Sequence, residues 1–289
     1  LNTLLFLQQN TILWIVIILL LGACIGSFLN VVIYRLPLSL YASWKRQCSQ
    51  LFPASIKPAE EITFNLMTPR SHCPHCKHTI SAWHNIPLLS YMLLRGKCAY
   101  CKQHISLQYF YIELICTIVT LFLALYYPIG WKLLGALLFT WSLIPLIIID
   151  FKEQLLPDEI TLLLLWLGLV FNIFNTFTPL VTAVIGTMLG YISLWLITYG
   201  YKLFTGKMAM GHGDFKLLAS LGAWLGWQSL PLIIFIAAIL GIIFGLTWLI
   251  CTRQKTSTAI AFGPYLAITG WLAFIFHDSL VNWYGIILR

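Results

Sequence analysis

Long apolar runs dominate this chain and leave few choices for its fold. The first extends from Ile12 to about Tyr34, and apolar character resumes in six or seven segments near 109–127, 131–150, 159–177, 179–203, 214–228, 230–250 and 259–277. A run of about 20 such residues crosses a hydrocarbon core of roughly 30 Å as a helix. In lipid every backbone N–H and C=O needs an internal partner, which an α-helix supplies from within itself. With 60% hydrophobic and 9% charged residues, the chain lies outside the range of soluble domains. The expectation is an all-α integral membrane protein of about eight transmembrane helices. The segment starting at Asp214 is the shortest of them. Leu21–Cys24 looks like a lipoprotein cleavage box, but no Lys or Arg precedes it and the apolar run continues past Cys24. It is read as part of the first span.

One block has a different character. Residues 35–108 carry nine of the seventeen Lys and Arg, five of the seven His and five of the eight Cys. The domains are therefore expected as 1–34, the first span; 35–108, one extramembrane domain; and 109–289, a multi-span helical domain. Within the block, 39–70 has no sharp pattern and reads as an irregular insertion. Cys73-Pro-His-Cys76 and Cys98-Ala-Tyr-Cys101 bracket 21 residues, a spacing at which two short knuckles give four thiolates to one tetrahedral zinc. Four sulfurs close the coordination shell, so the metal is expected to be structural, in a zinc-ribbon-like loop. Cys24, Cys116 and Cys251 lie in or beside apolar runs and are read as small core residues.

Charge placement gives an orientation. If the amino terminus is outside and all eight spans cross, fifteen Lys and Arg fall on one side and only Lys132 and Arg289 on the other. The positive-inside rule then puts the 35–108 domain in the cytoplasm. The net charge of +8 is mostly this bias, and no nucleic-acid-binding motif accompanies it. The same count brings Asp150, at the end of one run, and Asp214, at the start of another, to the same face.

Acids are scarce, nine in 289 residues, which singles those two out. Asp150 follows Leu146 to Ile149 with no polar transition, and Asp214 follows Gly211-His-Gly213. Two carboxylates held together in a poorly solvated site share a proton, so one acts as base toward water and the other as acid toward a carbonyl oxygen. Gly211 and Gly213 are expected to adopt positive φ and bring backbone close to an extended substrate. Lys216 reads as a positive-inside anchor, or as a cation favouring the ionised form of Asp214. Asp158, before the 159–177 run, reads as a helix N-cap assisted by Glu159, or as a residue supporting substrate. His212 is given no catalytic part.

These residues together resemble the type IV prepilin peptidases, integral membrane aspartic proteases of the Gly-x-Gly-Asp class. The resemblance runs through Gly26–Pro37, Ser71–Cys76, Trp83–Pro87, Leu94–Cys101, Ile105-Ser106, Tyr111–Leu114, Asp150 with Leu156–Asp158, Gly211–Lys216 and Phe262–Tyr265. It covers nearly all of the chain after residue 20 except 39–70. One departure is Ala261, where a proline often precedes the Phe-Gly-Pro motif. The resemblance implies cleavage of the basic leader from type IV prepilins or type II secretion pseudopilins, at the cytoplasmic side of the inner membrane, with Asp150 and Asp214 catalytic. It also implies methylation of the new amino terminus with S-adenosylmethionine. No nucleotide-type glycine fingerprint marks a site for that cofactor. Asn30, Arg35 and Glu113 serve it or hydrogen-bond between helices; both readings stay open. The rival classes are a non-enzymatic scaffold of a pilus or secretion machine, and an ion-coupled transporter, which the lack of an apparent internal repeat disfavours.

Overall fold

The structure is a computed structural model and describes residues 10–51, 71–73, 75–81, 86–208, 210–252 and 261–276. Most of the expected insertion (52–70), and Trp83–Asn85 of the resemblance, lie outside these residues. The described chain is helical, with no strand. Its helices are α1 (Thr11–Leu51), α2 (Leu89–Leu93), α3 (Leu107–Tyr126), α4 (Trp131–Glu153), α5 (Asp158–Ile173), α6 (Leu180–Thr205), α7 (His212–Leu225), α8 (Leu230–Thr252) and α9 (Gly263–Ile275). All the apolar runs became helices. Five stretches, α1, α3, α4, α6 and Trp227–Thr247, are long and apolar enough to cross a membrane, which makes this a multi-pass membrane protein. Helices α5, α7 and α9, of 16, 14 and 13 residues, are shorter than a full crossing needs.

The chain divides into two compact units, Leu1–Leu133 and Leu134–Arg289. In the first, α1 packs on α3 through glycines. A Cβ at Gly22 would come 2.8 Å from Thr117 Cα, and one at Gly26 would come 2.8 Å from Glu113 Cα. Without a hydrophobic drive between helices in lipid, close backbone approach of this kind supplies the packing. Helix α1 differs from expectation. It continues past Tyr34 for 41 residues in all, with Pro37 inside it, so 39–51 is helical rather than irregular. Proline disturbs the turn before it, and the helix can resume beyond it. In these mostly exposed turns Tyr41, Trp44, Cys48 and Leu51 recur at spacings of three and four, a helical pattern diluted by the polar residues between them. Ser39, Ser43 and Ser49 return their hydroxyls to the carbonyls of Leu36, Leu40 and Arg46.

In the second unit α7 is the buried axis: every residue from Leu217 to Leu225 is buried. Trp224 explains much of this. Its Nε1 donates to the Leu164 carbonyl at 2.8 Å, and its ring meets Phe139, Phe171, Phe177 and Phe274. Gly168 makes room for it, since a Cβ there would lie 2.6 Å from Trp224 Cδ1. On another side α6 approaches through Gly186 against Gly222 and through Gly190 against Leu218. Asn172 fixes the far end, donating to Ala223 O at 2.8 Å and accepting from the N–H groups of Phe177 and Thr178. Trp271 of α9 donates to Thr140 of α4 at 3.0 Å. The axis thus holds the first turn of α7, and Asp214 with it, in a fixed place.

Candidate active site and metal centre

Asp150 sits near the C-terminal end of α4 and Asp214 in the first turn of α7. Both side chains are buried, with residues only 5% and 9% exposed. The charge of Asp150 acts directly on Asp214, so the structure brings together two acids 64 positions apart in sequence. The N-terminus of α9 completes the enclosure: the Gly263 backbone N–H donates to the Asp150 carboxylate. A Cβ on Gly263 would lie 2.5 Å from Asp150 Oδ2 and 3.0 Å from Leu156 Cδ1. Gly213 is pressed on the same leucine, where a Cβ would be 2.8 Å from Leu156 Cβ. Leu156 therefore packs against the glycines beside both acids.

Sequence reasoning gave Gly263 and Leu156 no role. The Phe262–Tyr265 motif was the available signal, but neither residue carries a reactive group and both act by shape. Gly263→Ala should force Asp150 aside while leaving α9 able to form; since small misplacements of reacting groups cost about 10²-fold in rate, any reaction that the two acids carry out is expected to slow by about that much. Retention of wild-type turnover in this variant would show that Asp150 does not need its present position.

Three expectations around the site are corrected. Gly211 has φ −78°, and positive-φ glycines among the described residues are Gly96, Gly206 and Gly226, so neither Gly211 nor Gly213 is left-handed. Close packing on Leu156 is what requires a glycine at 213, whereas a Cβ at Gly211 would meet only the Gly213 backbone N, at 4.0 Å, an ordinary contact. Pro157, not Asp158, occupies the N-cap of α5, and no side chain caps it. Asp158 is the first helical residue, where its charge suits the helix N-terminus. Lys216 is not paired with Asp214: its Nζ donates to both oxygens of Asp158 at 2.7 Å. The pair is half exposed, with side chains 28% and 53% accessible, so its net stabilisation is below about 1 kcal/mol. Its role is geometric, joining the first turns of α5 and α7 beside Asp214. His212 is exposed and stacks edge-on against Phe215, its ring centroid 5.3 Å away.

In the first unit the Sγ atoms of Cys73, Cys76, Cys98 and Cys101 all lie within 4.8 Å of one another. Cys73 and Cys101 are 3.8 Å apart at sulfur. Four thiolates about 2.3 Å from a tetrahedral metal are spaced by about 3.8 Å, so the cluster fits one ion. The two knuckles are built alike. In each, the first cysteine N–H bonds five residues ahead, Cys73 to His78 and Cys98 to Gln103, and its carbonyl accepts from Lys77 or Lys102. The Cys76 and Cys101 backbone N–H groups point at the Cys73 and Cys98 sulfurs and lower both thiols. Of the three cysteines expected in the core, Cys116 is buried, but Cys24 and Cys251 are exposed on the faces of α1 and α8.

Lys77 and Lys102 hold φ of 59° and 58°, a left-handed conformation that costs an L side chain about 1–2 kcal/mol. Lys77→Gly with Lys102→Gly relieves this at each knuckle, offset in part by the flexibility of unfolded glycine. A gain of about 0.5–1 kcal/mol per site is expected, read as about 2–5-fold slower loss of metal to a chelator per site. Faster loss would contradict strain at these positions.

Comparison with known proteins places one match on each unit. The family described as bacterial peptidase A24 N-terminal domain matches residues 20–127, and the type IV leader peptidase family matches residues 137–246. A protein of Aeromonas salmonicida (strain A449) is 46% identical over 269 residues, covering 93% of this chain and 92% of its own length. One of Stutzerimonas stutzeri is 45% identical over 279 residues, covering 96% of both. One of Neisseria gonorrhoeae is 46% identical over 267 residues, covering 91% of this chain and 92% of its own. All three carry the description prepilin leader peptidase/N-methyltransferase. No solved structure matches the chain.

Proposed function

Because the chain belongs to the type IV leader peptidase family, we propose that it is a membrane aspartic endopeptidase that removes the leader from type IV prepilins or type II pseudopilins and methylates the new amino terminus. The observation that carries the peptidase reading is the buried pair of Asp150 and Asp214. A hydrogen bond to a charged oxygen is stronger than one to a neutral oxygen. The Gly263 N–H on Asp150 supports reading the shared negative charge on Asp150 and the shared proton on Asp214. Asp150 takes a proton from water as the water oxygen bonds to the scissile carbonyl carbon, and Asp214 gives its proton to the carbonyl oxygen. The resulting diol collapses as Asp150 passes its proton to the leaving nitrogen, the C–N bond breaks, and Asp214 recovers its own. Gly211 and Gly213 present backbone to the substrate, and the Asp158–Lys216 pair positions them.

The four cysteines suit zinc as a structural ion, since four sulfurs leave no open position for a substrate. Asn30, Arg35 and Glu113 are the polar residues that would hold S-adenosylmethionine, which when bound would supply an electrophilic methyl group to the new amino terminus. We place the protein in the bacterial inner membrane, with 1–34 as first span, 35–108 as a cytoplasmic domain and 109–289 as the multi-span protease domain. The length of α1 supports an extramembrane continuation: its 41 residues extend about 60 Å, twice a hydrocarbon core. The clustering of Lys and Arg in 35–108 supports the cytoplasmic side.

Purified protein in lipid nanodiscs, given a synthetic prepilin and S-adenosylmethionine, tests the whole reading by mass spectrometry of the product. The expected product lacks the leader and then gains one methyl group. An intact prepilin would reject the peptidase; a shortened but unmethylated product would leave the peptidase alone.

A further inference from the structure

Residues 71–106, which hold the two cysteine knuckles and α2, contain Lys77, Arg95, Lys97 and Lys102 and not one Asp or Glu. All four bases are exposed, and none joins an ion pair among the described residues. Three of them stand in left-handed backbone, Lys77 at φ 59°, Arg95 at 50° and Lys102 at 58°. Glycine adopts that conformation freely and an L side chain does not. Each turn would form more easily with glycine, so bases kept at strained positions point to a use for their charge outside the fold.

The apolar residues of α2 are as open as these bases. Leu89, Met92 and Leu93 are 53%, 56% and 82% exposed, and their spacing of three and four puts them on one side of the helix. The depth of α2 is set by α3. The Leu88 N–H donates to Glu113 Oε2 at 2.8 Å, the Tyr91 hydroxyl donates to the Ile105 carbonyl at 3.1 Å, and the Tyr91 and Phe110 ring centroids are 5.4 Å apart. Helix α3 has 20 residues, a length of about 30 Å that matches a hydrocarbon core. A span that short uses all of its length. Its first turns, and α2 against them, therefore lie where hydrocarbon meets headgroups.

From this placement we propose that α2 and the knuckles dock on the membrane surface, with Leu89, Met92 and Leu93 in the outer hydrocarbon and Lys77, Arg95, Lys97 and Lys102 on the phosphates of anionic lipids. An apolar face accompanied by bases is the pattern of an interfacial segment. Long Lys and Arg stems carry their charges to the phosphates while the methylenes stay in apolar surroundings. Anionic lipid strengthens binding about five-fold for each base near the surface, and the attraction fades within about 10 Å. The leader of a prepilin is a poorer occupant, because its basic charge has the same sign. The docking belongs to the membrane-bound chain whether or not it cleaves prepilins.

Hydrogen exchange of the protein in nanodiscs of phosphatidylcholine alone, and in nanodiscs that also contain phosphatidylglycerol, tests the docking without any cleavage assay. Residues 86–106 are expected to exchange about 10-fold or more slowly where phosphatidylglycerol is present, and high salt should remove the difference. Combining Lys77→Asn, Arg95→Asn and Lys102→Asn takes away three bases with a residue that tolerates left-handed backbone. The lipid difference is expected to vanish in that variant while its metal content stays that of the wild-type protein. Equal exchange in the two kinds of disc, or an unchanged difference in the triple variant, would overturn the docking. Protection that appears only when a prepilin is added would assign the surface to a protein and overturn it as well. Should the triple variant lose its metal, Lys97→Gln, outside the strained turns, decides: a difference about five-fold smaller supports the docking, and an unchanged one overturns it.

Discussion

Replacing Cys73 and Cys98 together by Ser is expected to take the protein from one bound metal per chain to none. These are the buried members of the two Cys-x-x-Cys pairs, and Cys76 and Cys101 are the exposed ones. The double substitution leaves one thiolate on each knuckle, too few to hold an ion against water. Structural zinc sites contribute about 10–16 kcal/mol of apparent binding free energy in isolated modules. Each knuckle has only a few backbone hydrogen bonds of its own, so the segment between residues 71 and 105 should lose protection from amide exchange along with the metal. Elemental analysis of the purified variant reads the first effect and hydrogen exchange the second. A metal content equal to that of the wild-type protein would reject the tetrathiolate.

The sequence revealed most where a residue type is rare or its spacing is fixed by geometry. The cysteine cluster was legible because four cysteines at paired short spacing have few other uses. The meeting of Asp150 and Asp214 was legible because carboxylates seldom end apolar runs, and the helices because apolar runs of this length have one solution in lipid. What escaped acts through shape. Gly263 and Leu156 hold Asp150 and Gly213 in place by contact, and neither residue type advertises such a role. The left-handed φ expected at Gly211 and Gly213 was a general property of glycine, whereas the structure uses its small volume at 213. Lys216 and Asp158 were each read against their nearest neighbours; their bond spans 58 residues. The run of α1 beyond Pro37 was hidden by the proline and by the polar residues that dilute the helical spacing of Tyr41, Trp44, Cys48 and Leu51. The shortness of α7 was visible in the sequence, but that of α5 and α9 was hidden because an apolar run reads alike whether lipid or protein surrounds it. For α7 it is protein, as Trp224 and Gly222 show.

The scaffold and transporter readings part from the peptidase at the same two residues. As interhelical hydrogen bonds in a scaffold, Asp150 and Asp214 would serve assembly, and their loss would leave prepilin processing intact. As proton carriers they would give substrate-driven proton flux in vesicles. As a dyad they are the chemistry itself: Asn at either position keeps the side chain's size but can neither hold the shared charge nor pass on the proton. Because each substitution removes a buried charge next to another acid, neither should destabilise α4 or α7 greatly.

General acid and base groups contribute about 10² to 10⁴-fold each to reaction rates, and loss of one dyad member disables both halves of the proton exchange. Leader cleavage should therefore fall by about 10³-fold or more in Asp150→Asn and in Asp214→Asn. The most direct measurement is the cleavage rate of a prepilin by wild-type protein and each variant in nanodiscs, at equal amounts of folded, metal-loaded protein. The structure predicts intact prepilin with both variants under conditions where the wild-type protein removes the leader completely. Cleavage near the wild-type rate by either one would contradict the dyad.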